Sequence, residues 1–83
     1  MPRYYFDTDD GDFRHYDETG QDMPDAEAAR RAAHGVLPEM ARDKLLDGDR
    51  HTFSARIRDA SGTVLYSAEL NLVGEWQVEP PAD

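Results

Sequence analysis

The chain contains no cysteine. That absence removes disulfides, thiolate metal sites and cysteine nucleophiles, and it fits a reducing cytoplasm. No apolar stretch approaches the ~20 residues needed to cross a bilayer, so no membrane span is expected. Met1-Pro2-Arg3-Tyr4 is followed by no apolar signal segment, and secretion is not expected either. Basic residues are scarce: nine Lys and Arg stand against eighteen Asp and Glu, a formal net charge of −9. Such a field repels nucleic acid and anionic membrane, and favours basic partners or simple solubility. Catalytic signatures are missing as well. The chain has no G-x-S-x-G, no Walker loop and no dinucleotide-binding glycine pattern. Asp and Glu are plentiful, but none has the apolar neighbours that would tune it as a buried general acid. The expectation is a non-enzymatic protein without a cofactor.

Eighty-three residues make one domain. A chain of this size buries about 60–65% of its unfolded surface, so its stability is marginal, about 4–10 kcal/mol. Dimerisation is a common remedy at this length. The acid is concentrated early: Asp7, Asp9, Asp10, Asp12, Asp17, Glu18, Asp22, Asp25 and Glu27 have Arg14 as the single base among them. Solvated turns and a helix N-terminus account for most of that pattern.

Residues 2–7 read as a strand, because Tyr and Phe suit a pleated surface. Alternation puts Tyr4 and Phe6 on one face and Arg3, Tyr5 and Asp7 on the other. Asp9-Asp10-Gly11 is a turn, residues 12–17 return as a second, weaker strand, and Glu18-Thr19-Gly20 turns again. Asp25 suits a helix N-cap, and Glu27 complements the helix dipole. Ala29, Ala33, Val36, Leu37, Met40, Ala41 and Leu45 form a helical stripe, and Gly48 is a natural stop. Gly35 and Pro38 interrupt good helix sequence. An interior proline costs about 3 kcal/mol, so a kink or break is expected near residues 34–38.

Residues 52–59 and 63–72 predict a hairpin around Asp59-Ala60-Ser61-Gly62, a type I turn with a left-handed glycine. Phe53, Ala55 and Ile57 alternate with Thr52, Ser54, Arg56 and Arg58. Val64, Tyr66, Ala68 and Leu70 are expected on one face, and Leu65, Ser67 and Glu69 on the other. The fold expected is α+β, a four-stranded antiparallel β-β-α-β-β sheet with one kinked helix packed on one face. The domain spans residues 1–73. Residues 74–83, with Trp76 and Pro80-Pro81, form a tail that frays after Val78.

Three segments together carry a family resemblance. They are Pro2-Arg3-Tyr4-Tyr5-Phe6, Gly20-Gln21-Asp22-Met23-Pro24-Asp25-Ala26-Glu27-Ala28-Ala29-Arg30, and Arg58-Asp59-Ala60-Ser61-Gly62-Thr63-Val64-Leu65. Over residues 2 to about 70 the chain resembles a family of short, mainly alphaproteobacterial proteins classed as a domain of unknown function. The resemblance implies a bacterial, cytoplasmic protein, and it implies no activity, substrate or catalytic residue. The chain departs from the family's unbroken helix at Gly35 and Pro38, and Trp76 lies outside the match.

Two candidate sites follow from the residues. Asp7, Asp9, Asp10 and Asp12 crowd the first turn, and His15 is close behind. An EF-hand is excluded, because setting Gly11 at loop position 6 puts Phe6 at position 1 and Asp17 at position 12. A looser divalent-cation or small-ligand site at residues 7–12 is the alternative reading. His15, His34 and His51 have no metal-ligand spacing. The second candidate is the sheet face away from the helix, which would carry Arg3, Tyr5, Arg56, Arg58 and Leu65, joined by Arg14 and Tyr16. Arginine mixed with aromatics suits single-stranded nucleic acid, but the net charge opposes that partner. The leading expectation is a protein-interaction or regulatory module, a possible homodimer, that uses this open face or an edge strand. Tyr5, Arg56, Arg58 and Trp76 are the expected contacts, because aromatics and arginine dominate interfaces.

Overall fold

The structure is a computed structural model that describes residues 1–42, 44 and 48–80. The elements, in chain order, are β1 Arg3–Asp9, β2 Arg14–His15, β3 Gln21–Asp22, α1 Ala26–Arg42, β4 Arg50–Arg58 and β5 Val64–Val73. The strands form one antiparallel sheet in the order β2-β1-β4-β5, with β3 also paired to β1. The α+β class and the single helix agree with the sequence reading. The strand count is five rather than four. The return strand expected over 12–17 shrinks to Arg14–His15, which pairs with Thr8 and Asp9 at one end of β1. At the other end, Gln21–Asp22 pairs with Arg3 and Tyr4. One edge of β1 is thus covered by two short pieces with a gap between them.

Alternation sets the core. Tyr4 and Phe6 of β1 and Phe53, Ala55 and Ile57 of β4 face the helix, where Ala29, Ala33, Leu37 and Ala41 are buried. These helix residues recur every fourth position, so they form one stripe. Three of the four are alanine, which lets the helix backbone lie close to the strands. Val36 is half-buried, Met40 packs from the rim, and Leu45 falls outside the described residues. The Asp25 carboxylate caps the helix, accepting the Ala28 N–H at 2.8 Å.

The helix runs from Ala26 to Arg42 through Gly35 and Pro38, so of the kink or break expected near residues 34–38 the break does not occur. Pro38 and His34 both lie on the exposed side. Water can therefore satisfy the His34 carbonyl that proline leaves without a donor.

The β4–β5 ladder contains a bulge. Ile57 faces Tyr66, yet Arg58 faces Val64. The inserted residue corrects the expected faces, because opposed residues share a face of the sheet. Val64 joins Arg58 on the side away from the helix. Leu65 instead lines a shallow groove with Ala26, Glu27, Arg30 and Tyr66 at the start of the helix. Leu70 lies opposite the fully buried Phe53 but is 39% exposed, since the helix leaves β5 at the rim. The turn before β5 is built on Asp59, whose Oδ1 accepts the N–H groups of Ser61 and Thr63, with Gly62 at φ 91°. Beyond β5, the Gly74 N–H donates to the Asp49 carbonyl at 2.6 Å, and residues 75–80 form neither helix nor strand.

The molecule is long and thin, 56 × 21 × 18 Å, with a radius of gyration of 16.0 Å. A compact chain of this length has a radius near 12 Å. Its accessible surface is 6176 Å², where a folded monomer of this mass exposes about 5,000 Å².

Two substitutions should move stability in opposite directions. Phe53→Ala should cost about 3–5 kcal/mol, because Phe53 is fully buried. Gly35→Ala should add about 0.5–1 kcal/mol, because nothing lies within 4 Å of an added Cβ. Urea melts with equal slopes for the variants and the parent measure both.

Candidate functional site on the open sheet face

The face away from the helix is organised by Arg58 at the end of β4. Its Nε donates to Asp7 Oδ2 at 2.7 Å and its Nη2 to Asp7 Oδ1 at 3.1 Å, a bidentate pair. The same Nη2 reaches the Asp17 carbonyl at 2.7 Å. The guanidinium lies 4.1 Å from the centre of the Tyr16 ring and 5.2 Å from that of Tyr5, both within cation–π range. The pair is well shielded, with 12% of the Arg58 side chain and 19% of the Asp7 side chain exposed.

Asp17 fills the gap along β1. Its Oδ2 accepts the Phe6 N–H at 3.0 Å, standing in for the backbone acceptor of a paired strand. Its Oδ1 accepts Thr19 N–H at 3.1 Å and Gly20 N–H at 3.0 Å. Its own N–H donates to Asp7 Oδ1 at 3.0 Å. One carboxylate therefore joins β2 to β3 where a continuous strand would run. Gly20 completes this join. Its φ is +75°, and a Cβ there would sit 2.9 Å from both Arg3 Cγ and Tyr5 Cε2. Arg3 closes the segment from outside, donating to Asp22 and to the Thr19 carbonyl.

The Arg58 guanidinium holds the Asp7 carboxyl below its ordinary value, aided by the Asp17 N–H and opposed by burial. Burial pushes Asp17 upward, but the N–H groups of Phe6, Gly20 and Thr19 outweigh it, and Asp17 also titrates low.

The first turn uses its carboxylates internally. Asp9 accepts the Gly11 N–H and pairs with Arg14 at 3.3 Å. Asp10 accepts the N–H groups of Asp12 and Phe13 and titrates low for that reason. Asp12 pairs with Lys44 at 2.9 Å. Among the described residues, no three His, Asp or Glu side chains are arranged to hold a metal ion. The histidines occupy separate settings. His34 bonds the Tyr66 hydroxyl at 2.7 Å, His51 contacts the Asp10 carbonyl, and His15 is exposed on β2.

His15 does border an open groove of about 400 Å³ on this face, with Arg14, Tyr16, Ser54, Arg56 and Arg58 around it and Asp7, Thr8 and Asp9 along one side. Of the expected contact residues, Tyr5 is half-buried beside Arg58, and Arg58 itself is shielded. Arg56 is exposed and makes no ion pair among the described residues. Trp76 is 61% exposed in the tail and is not part of the groove. Asp17 was not anticipated as an organising residue. Its one sequence signal is position: an Asp directly before Glu18-Thr19-Gly20, where Asx side chains cap turns.

The family model described as a domain of unknown function, DUF6894, matches residues 3–71. The chain belongs to this family. The DUF6894 match contains Asp7, Asp17, Gly20 and Arg58 and ends before Trp76. No curated protein and no solved structure matches the chain.

Acid should dissolve this DUF6894 join. Asp7 and Asp17 titrate lower in the folded state than in the unfolded chain. Below the ordinary carboxylate value near 4, the unfolded chain binds more protons. Their stabilisation is therefore complete above about pH 5 and is lost as pH falls through the folded-state values. Asp17→Asn should flatten the acid side of a plot of melting temperature against pH. Arg58→Met should lower the melting temperature at pH 7 by at least about 5 °C. Calorimetry between pH 2.5 and 7 checks both outcomes.

Proposed function

We propose that this protein is a small non-enzymatic interaction module of the bacterial cytoplasm, regulatory in role, that binds a protein partner by extending its sheet at β5. The carrying observation is the free edge. β5 is ten residues long and has a neighbour on one side alone among the described strands. Such an edge presents a row of unpaired N–H and C=O groups, which is the template used in strand addition. The usual protections of an edge are sparse here, since β5 holds no proline and no lysine, and Glu69 is its one charge. Leu65, Leu70 and Val73 are exposed along it. Arg56, one strand inward, is available to a partner, and Trp76 just past the strand end could anchor one. Tyr5 and Arg58 contribute by holding the face rigid.

Amide exchange of the ¹⁵N-labelled protein tests this reading. The β5 amides that point away from β4 should exchange slowly in concentrated solution or in an extract of the source cells. Fast exchange of those amides in both settings overturns it.

A second reading, a small-ligand site beside the acidic turn, has the groove between Arg14, His15 and Arg56 behind it. Asp7 and Asp9 there are already engaged by Arg58 and Arg14. The ligand that suits the free groups is therefore an anion rather than a divalent cation. Calorimetric titration with phosphate, calcium, magnesium and zinc should show heat for phosphate alone.

A further inference from the structure

We infer that the occupant of the β5 edge is a second copy of this chain, paired antiparallel about a two-fold axis at Ala68; this rests on the strand-addition reading above.

The first argument is area. The chain exposes 6176 Å², about 1,200 Å² more than a folded monomer of its mass. A standard interface covers about 800 Å² on each partner. The excess belongs to the whole elongated chain, residues 75–80 beyond the last strand included, and a self-contact along β5 removes part of it.

The second argument is charge. Arg56 lies directly opposite Ser67, on the face away from the helix. Glu69 shares that face, two residues along β5. Neither makes an ion pair among the described residues.

These features select a register. A two-fold pairing that keeps Tyr66, Ala68 and Leu70 on the helix side in both copies must be centred on a residue. Four residues lie mid-strand, Ser67, Ala68, Glu69 and Leu70. Centring on Leu70 sets Glu69 opposite the partner's Asn71 and leaves Arg56 without a carboxylate in its row. Centring on Glu69 sets two carboxylates directly opposite one another. Centring on Ser67 puts the two Arg56 side chains in a single row of like charge. Centring on Ala68 removes both conflicts. Ser67 then faces the partner's Glu69, so Arg56, Ser67 and the partner's Glu69 form one row, repeated by symmetry. Two strand spacings, about 9.5 Å, separate the ends of that row. Extended Arg and Glu side chains together cover this span above the small Ser67 side chain. On the helix side, Tyr66 faces the partner's Leu70, and the half-exposed Leu70 gains an aromatic neighbour. The result is a continuous sheet with both helices on one face.

The absence of native cysteine makes the register directly readable. Only a residue at the two-fold axis meets its own copy, so Ala68→Cys should cross-link under mild oxidation while Ser67→Cys and Glu69→Cys do not. Light scattering should report a dimer that weakens in high salt. Arg56→Glu and Glu69→Arg each should weaken dimerisation about 10-fold, and the double variant should restore it. Both residues are exposed, so these variants keep the fold even if a cysteine at 68 does not. A dimer that cross-links best at 67 or 69, or whose charge swap gives no rescue, overturns the register. A monomer at all concentrations overturns self-pairing. Strand addition to a different protein would then stand or fall on β5 amide protection in the cell extract.

Discussion

The bidentate pair between Arg58 and Asp7 joins the two central strands on the side that the helix leaves bare. A sheet covered on one face has no apolar layer to stabilise the other. Here an ion pair, two tyrosine rings and a carbonyl take that place. The geometry matters because both partners are largely withdrawn from water. An exposed pair at the same distance would contribute little. Asp17 extends the same unit across the gap in β1, so strand pairing on that side depends on carboxylates rather than on a continuous ladder.

This arrangement changes the meaning of the acid content. Read as charge, the early Asp cluster is a repulsive field. In the structure, Asp9, Asp10, Asp17, Asp25 and Asp59 each accept one or more backbone N–H groups. They close turns and cap the helix, which a chain with so small a core needs. The carboxylates serve as local acceptors first, and the net charge follows from that use.

The same economy leaves an exposed border. A single helix with an alanine stripe packs on β1, on β4 and on the Tyr66 and Ala68 side chains of β5, and leaves Leu70 and Val73 exposed. The strand therefore ends the sheet with half-exposed leucines and a free backbone edge. Among the described residues no further element covers that edge, and the interaction reading starts from this.

What the sequence determined alone is local. Alternation of Phe53, Ala55 and Ile57, the Asp25 cap, the four-residue spacing of the helix stripe and the Asp59–Gly62 turn each involve neighbours within a few residues. Propensity and periodicity act at that range. Tertiary structure decided everything that joins distant residues. The splitting of the second strand depends on Asp17 bonding Phe6 across eleven positions. The Arg58–Asp7 pair spans fifty-one. The bulge that exchanges Val64 and Leu65 arises from how β5 meets Arg58, not from either residue's preference. The helix passes Pro38 because its orphaned carbonyl faces water, and only the packing of the helix settles which side that is.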